Sequence, residues 1–268
     1  MRVYSALVGN VVAARRPWAW AIIALGFLLL ARVAAPVGAM DLDTLVRVGA
    51  GTAVALVVIA LGAATLSGWP LADSLRMRGA RPPLRAIETV TLIVGLLALS
   101  HLLDAAIEHA DLRATSRLGV IEDALAGIDG AGVWFALAGI ALAPAIAEEL
   151  LFRGYVLGAL LSRLRPLWAV LISALLFGAA HFDLVQGGAA AILGVYLGAV
   201  SIATRSIRVC VAAHFCNNAL AVLDPALAAP VATHPLVIAG GWALLASGGI
   251  GACIVLARRL RAPTPCAP

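Results

Sequence analysis

Six side chains carry the types and spacing that chemistry needs. Glu148, Glu149 and Arg153 fall in one apolar run, His181 in a second, and His214 and Asn218 in a third. A desolvated carboxylate can take a proton from water, and an imidazole can position or relay it. Glu149 and Arg153 are four residues apart with the acid first, the favoured order for a helical ion pair. Glu148 is turned about 100° away on the helix and is left to face something else. His214 and Asn218 are also four apart and share one helix face. Asn217 is the ambiguous neighbour. Pro144, four residues before Glu148, removes a backbone donor and can kink the helix there.

A plainer reading competes with chemistry. Buried ion pairs and interhelical hydrogen bonds can simply hold helices together. For Glu149 and Arg153 alone the two readings are evenly matched. Two Glu, one Arg, two His and one Asn on three helices are harder to explain by packing. Elsewhere packing suffices. His101, Asp104 and Glu108 form an edge near the end of one run, and Glu88 lies beside Arg85. His234 precedes Pro235 in a loop. Gly194/Gly198 and Gly154/Gly158 read as small-residue helix contacts.

The elements that must position these residues are transmembrane helices. The chain has 268 residues, 63% hydrophobic and 12% charged. A soluble domain carries roughly 25% charged residues, and no soluble core of this size buries so much apolar surface. The composition excludes a cytosolic globular protein, a disordered chain and a nucleic-acid-binding domain. It specifies an all-α polytopic membrane protein, a single integral domain over 1–268 with the lipid bilayer as its partner. About 20 apolar residues cross a bilayer. Eight segments qualify: 18–35, 48–69, 86–107, 131–162, 167–182, 184–203, 209–223 and 236–257. The fifth and seventh are short and must be shielded by neighbours. No alternating strands suggest a β-barrel. Four Cys form no CxxC pair, so neither a disulfide framework nor a zinc ribbon is expected. No internal repeat supports a transporter.

The chain has nineteen Arg and no Lys. With the N-terminus inside, fourteen Arg fall in inner segments and four in outer ones, with Arg153 inside a span. This alternation predicts N-in and C-in topology. Residues 1–39 read as a retained first helix, with a cleaved signal peptide ending near Ala39 as the alternative. The loop 108–130 is the one sizeable polar connection and reads as solvated and acidic. Counting about 1.5 Å per residue from the inner Arg places Glu148 about 22 Å deep, His181 about 23–24 Å, His214 about 9 Å and Asn218 about 15 Å. The four are expected to converge in one polar cavity.

Taken in order, Glu148-Glu149-xxx-Arg153, Phe177-xxx-His181 and His214-xxx-Asn218 resemble the three motifs of the CAAX protease and bacteriocin-processing (Abi) family. These intramembrane endopeptidases are related to the type II CAAX prenyl endopeptidase. The motif-bearing core is about 130–225, and eight spans agree with that endopeptidase's fold. The resemblance implies hydrolysis of peptide bonds in a membrane-associated protein or peptide. Glu148 would activate water as general base, with His181 helping to position it. His214 and Asn218 would stabilise the oxyanion, and Glu149 and Arg153 would support the helix and the field around Glu148. A metal-free site is expected. The alternative is zinc held through Glu148, His181 and His214, although no HExxH pair is present. Other function classes are a non-catalytic immunity or scaffold protein of the same family and, more distantly, a transporter. The C-terminal Cys266-Ala267-Pro268 is not a CaaX box. By analogy, the all-Arg usage points to a GC-rich bacterium and its inner membrane. Neither substrate nor oligomeric state is specified.

Overall fold

A computed structural model describes Gly26 and residues 40–67, 70–80, 83–226 and 235–261. The described residues are helical, with no strand among them. We number the helices α1 (Leu42–Leu66), α2 (Leu71–Ser74), α3 (Ala86–His109), α4 (Arg117–Leu125), α5 (Gly130–Leu161), α6 (Pro166–Ala179), α7 (Leu184–Thr204), α8 (Arg208–Ala226) and α9 (Pro235–Arg261). Helices occupy seven of the eight expected segments. The expected first span, 18–35, lies outside the described residues except for Gly26, which is helical and abuts Ile59 of α1. The two readings of 1–39 lie outside them as well.

Five helices are long and apolar enough to cross a membrane: α1, α3, α5, α7 and, over Ala243–Arg261, α9. Within α6 and α8 the apolar stretches Pro166–Ala179 and Arg208–Leu223 are shorter. Side chains exposed on the outer faces are large and apolar, including Val54, Val58, Leu102, Trp134, Leu175 and Ile192. In water such faces would be a liability; against acyl chains they are the solvated surface.

Inside, small residues bring backbones together. A Cβ on Gly49 of α1 would sit 2.8 Å from the Gly139 carbonyl of α5. Gly178 of α6 and Gly187 of α7 face each other backbone to backbone, and a Cβ on Gly187 would meet the Gly178 carbonyl at 2.6 Å. Helices in lipid gain little from apolar transfer, so such close approach supplies the packing energy. α6 and α7 form an antiparallel hairpin, α9 packs along α3, and α1 lies along α5. The largest core cluster joins Leu56, Ala60 and Ala63 of α1 to Leu151, Phe152 and Tyr155 of α5.

The fourth expected span departs from a regular helix. Within α5, Leu137–Leu142 and Glu149–Val156 are π-helical, and the α-helical stretch Ala143–Glu148 between them begins with Pro144 near its first turn. Proline has no N–H to donate, and its ring crowds the carbonyl one turn back. A wider turn just before it relieves that clash. The second π turn holds Glu149 and Arg153, and π turns cluster at functional sites.

The loop 110–129 is more structured than a solvated connection. It contains a 3-10 turn, Arg113–Thr115, and α4, capped by the Ser116 hydroxyl accepting from the Leu118 N–H. Arg113 binds Asp104, Glu108 and Glu122 together. Partial burial alone would lower the Arg113 pKa, but its hydrogen bonds to the Asp104 and Glu108 carboxylates outweigh it and hold it above its ordinary value.

At the opposite end the arginine-rich segments meet. Arg76 donates from Nη2 to the Ser201 carbonyl at 2.7 Å, the Ile207 N–H donates to the Arg76 carbonyl at 3.1 Å, and Arg208 Nε donates to the Met77 carbonyl at 2.9 Å. Arg259 of α9 reaches Glu88 of α3 at 3.0 Å. The α7–α8 turn is sunk beneath these groups, with Thr204, Ser206 and Ile207 buried.

Candidate active site

Three helices deliver the site. α5 supplies Glu148, Glu149 and Arg153, the end of α6 supplies Phe177 and leads into His181, and α8 supplies His214. Arg153 Nη1 donates to Glu149 Oε1 at 2.6 Å, and both side chains are essentially fully buried. The pairing read from the four-residue spacing is therefore present, inside a π turn rather than an α turn.

His214 Nδ1 also meets Glu149 Oε1, at 2.9 Å. Its other nitrogen, Nε2, lies 3.6 Å from Glu148 Oε2. An ionised Glu149 can only accept, so Nδ1 is the donor and Nε2 is the nitrogen left for chemistry. His214 thus bridges the two adjacent glutamates. Glu148, with 15% of its side chain exposed, stands at the accessible edge of the cluster, while Glu149 is sealed behind it.

Phe177 holds the cluster together. Its ring makes edge contacts with Phe152, His181 and His214 at centroid distances of 5.2, 5.1 and 5.9 Å. The Arg153 guanidinium stacks over it at 4.1 Å. Sequence reasoning found Phe177 as a motif residue but assigned it no role. Its position one helical turn before His181 was the available signal.

His181 sits just beyond α6 and is half-buried. Its Nδ1 pairs with the Phe177 carbonyl at 3.0 Å, and it reaches the cluster through the Phe177 ring. Phe182 then adopts a left-handed conformation (φ 51°), and Asp183 caps α7 by accepting from the Gln186 N–H at 2.7 Å. The other Asp183 oxygen accepts from the Arg117 N–H at 3.0 Å and so fixes α4 to this corner. Asn218 lies one turn beyond His214 and is half-buried, with the Asn217 amide 3.5 Å from its Oδ1.

The axial estimate put Glu148 and His214 about 13 Å apart in depth, assuming that Arg163 and Arg208 lie at one level. The 3.6 Å contact between them shows that they do not. α8 starts from the sunken corner at Ile207, whose N–H is held by the Arg76 carbonyl, so its residues begin deeper than the count allows.

Among the described residues, no group of three His, Cys, Asp or Glu is placed to hold a metal ion. His214 Nδ1 is turned to Glu149 and His181 Nδ1 to the Phe177 carbonyl, so each ring would meet a water or a ligand through Nε2.

No curated protein and no solved structure matches the chain. With five helices among the described residues long and apolar enough to cross a membrane, this is an integral, multi-pass membrane protein. Residues 130–220, which contain all three motifs, match the family model described as type II CAAX prenyl endopeptidase Rce1-like, so the chain's resemblance to the CAAX proteases is shown.

Proposed function

We propose that the chain is an intramembrane endopeptidase that hydrolyses a membrane-associated protein or peptide with water activated by Glu148. The observation that carries this is the division of labour between two adjacent glutamates. Glu149 is buried and committed to Arg153 and His214, whereas Glu148 has no arginine partner, meets only the His214 Nε2 edge at 3.6 Å and stands at the accessible edge. The protease family matched over 130–220 supports the same reading.

In this reading a water on Glu148 loses its proton to the carboxylate and attacks the scissile carbonyl. His181 orients that water. Charge then develops on the carbonyl oxygen, where His214 Nε2, when protonated, and the Asn218 amide donate. Glu149 fixes the His214 ring and neutralises Arg153. Glu148 returns its proton to the leaving amine, so no metal takes part in any step. The site is proposed to lie within the membrane of a cell with N-in and C-in topology and eight spans.

The test compares membrane peptides in cells carrying the wild-type chain with cells carrying Glu148→Gln. New termini that appear only with wild type identify substrates. A reporter built on such a terminus should lose about 10²–10⁴-fold in cleavage rate with Glu148→Gln, the contribution of a general base. Equal cleavage by Glu148→Gln would sink the mechanism.

A further inference from the structure

Several buried polar atoms near the site lack a protein partner. They are Glu149 Oε2, Arg153 Nη2, Ser201 Oγ and Arg76 Nε. Glu149, Arg153 and Ser201 are themselves at least 99% buried. Buried donors and acceptors without protein partners are commonly satisfied by internal water.

Their placement is linear. α7 presents Gly194 and Ser201 seven residues apart, two turns along one face, about 10.5 Å. At one end a Cβ on Gly194 would stand 3.2 Å from Arg153 Nη2, so the guanidinium seats against the bare backbone there. Midway, Cys210 Sγ of α8 donates to the Leu197 carbonyl at 3.4 Å, and both residues are buried. At the other end Arg76 donates to the carbonyl of Ser201 itself, which places its Nε beside the Ser201 hydroxyl's residue. Arg76 is half-buried and belongs to the arginine-rich end.

We propose that a file of internal water molecules runs along this face of α7, from Arg76 and Ser201 past Cys210 to Arg153 and Glu149. At a hydrogen-bond spacing of about 2.8 Å, three or four waters cover that span. Donors and acceptors alternate in kind along it: the Arg76 N–H, the Ser201 hydroxyl, the Arg153 N–H and the Glu149 oxygen. Its use as a supply of water to the carboxylates rests on the hydrolytic reading above. Its existence does not.

Radiolytic footprinting of the full chain in detergent tests this directly, because hydroxyl radicals formed from bound water label adjacent side chains even where bulk solvent is excluded. The comparison is between leucines of equal burial: Leu197 on the file, and Leu125 of α4 and Leu157 of α5, which pack in other clusters. Leu197 should be oxidised several-fold faster than Leu125 and Leu157, with Cys210 oxidised at the lowest doses. Ser201→Val, which removes the hydroxyl, should bring Leu197 down to the rate of Leu125, and Ser201→Thr, of the same shape but with a hydroxyl, should keep it high. Leu197 labelled no faster than Leu125 in the wild type overturns the proposal, whatever the variants do. No cleavage is measured, so a failed Glu148→Gln test and a failed footprint are separate results.

Discussion

Glu149 Oε1 accepts from two donors on two helices, Arg153 on α5 and His214 on α8. That geometry decides what each substitution removes. Arg153→Ala strands a buried carboxylate and also strips the cation from the Phe177 ring. Breaking one side of a buried pair costs about 3–5 kcal/mol. Glu149→Gln with Arg153→Met should recover much of that loss. The Gln carbonyl still accepts from His214 Nδ1, and Met fills the Arg volume without charge. Thermal unfolding in detergent reads the order: wild type, then the double variant, then Arg153→Ala. If the double variant melts no higher than Arg153→Ala, the pair is not what Arg153 contributes. Phe177→Leu isolates the ring. It keeps apolar bulk and loses the cation–π stack, which contributes about 0.5–2 kcal/mol, so its loss should be smaller than that of Arg153→Ala. Cleavage of an identified reporter should also survive strong chelators. Inactivation reversed by zinc would instead make Glu148, His181 and His214 ligands.

The same contacts show what was legible in the sequence at the scale of elements. Apolar runs bounded by arginine located α1, α3, α5, α6, α7, α8 and α9, because length and hydropathy are what the bilayer selects. The four-residue spacing of Glu149 and Arg153 gave the pair, since that separation remains within reach in a wide turn. The π turns themselves left only Pro144 as a trace, and it marks one of the two. The bridging role of His214 was not legible, because the level at which α8 starts is set by Arg76, far away in sequence. The glycine contacts were legible only as a pair. Gly154 and Gly158 share the same spacing, but their surroundings differ. A Cβ on Gly154 would lie 2.8 Å from the Leu75 carbonyl, a backbone atom that cannot rotate away. A Cβ on Gly158 would lie 3.9 Å from Arg76 Cδ, an ordinary contact. Gly154→Ala should therefore destabilise by about 1–3 kcal/mol, as overpacking does. Gly158→Ala should be neutral or stabilising, because Ala is favoured over Gly in a helix by about 1 kcal/mol. Equal melting temperatures for the two variants would mean that the α2 backbone does not pack on α5 as described.

Across the whole molecule, the charge pattern and the packing point the same way. Segments assigned to one side by their arginines converge at one end, where Arg76, Arg208 and Arg259 bond the Ser201, Met77 and Pro83 carbonyls. The carboxylate-rich loop lies at the other, where Asp104, Glu108 and Glu122 surround Arg113. A bilayer imposes this separation on insertion, because arginine is retained on the cytoplasmic side while acidic residues count little. The arginine-rich end should therefore face the cytoplasm. A reporter active only in the cytoplasm, fused after residue 268, should give signal, and the same reporter inserted after Asp129 should give none. An enzyme active only outside should give the reverse pattern. Signal from both positions with one reporter would show that the two ends are not on opposite sides. Cytoplasmic signal at Asp129 alone would invert the molecule and place the arginine-rich end outside. In the orientation proposed here, the proposed file would start on the cytoplasmic side at Arg76, whereas α4 is pinned by Asp183 beside His181 at the other end of the molecule.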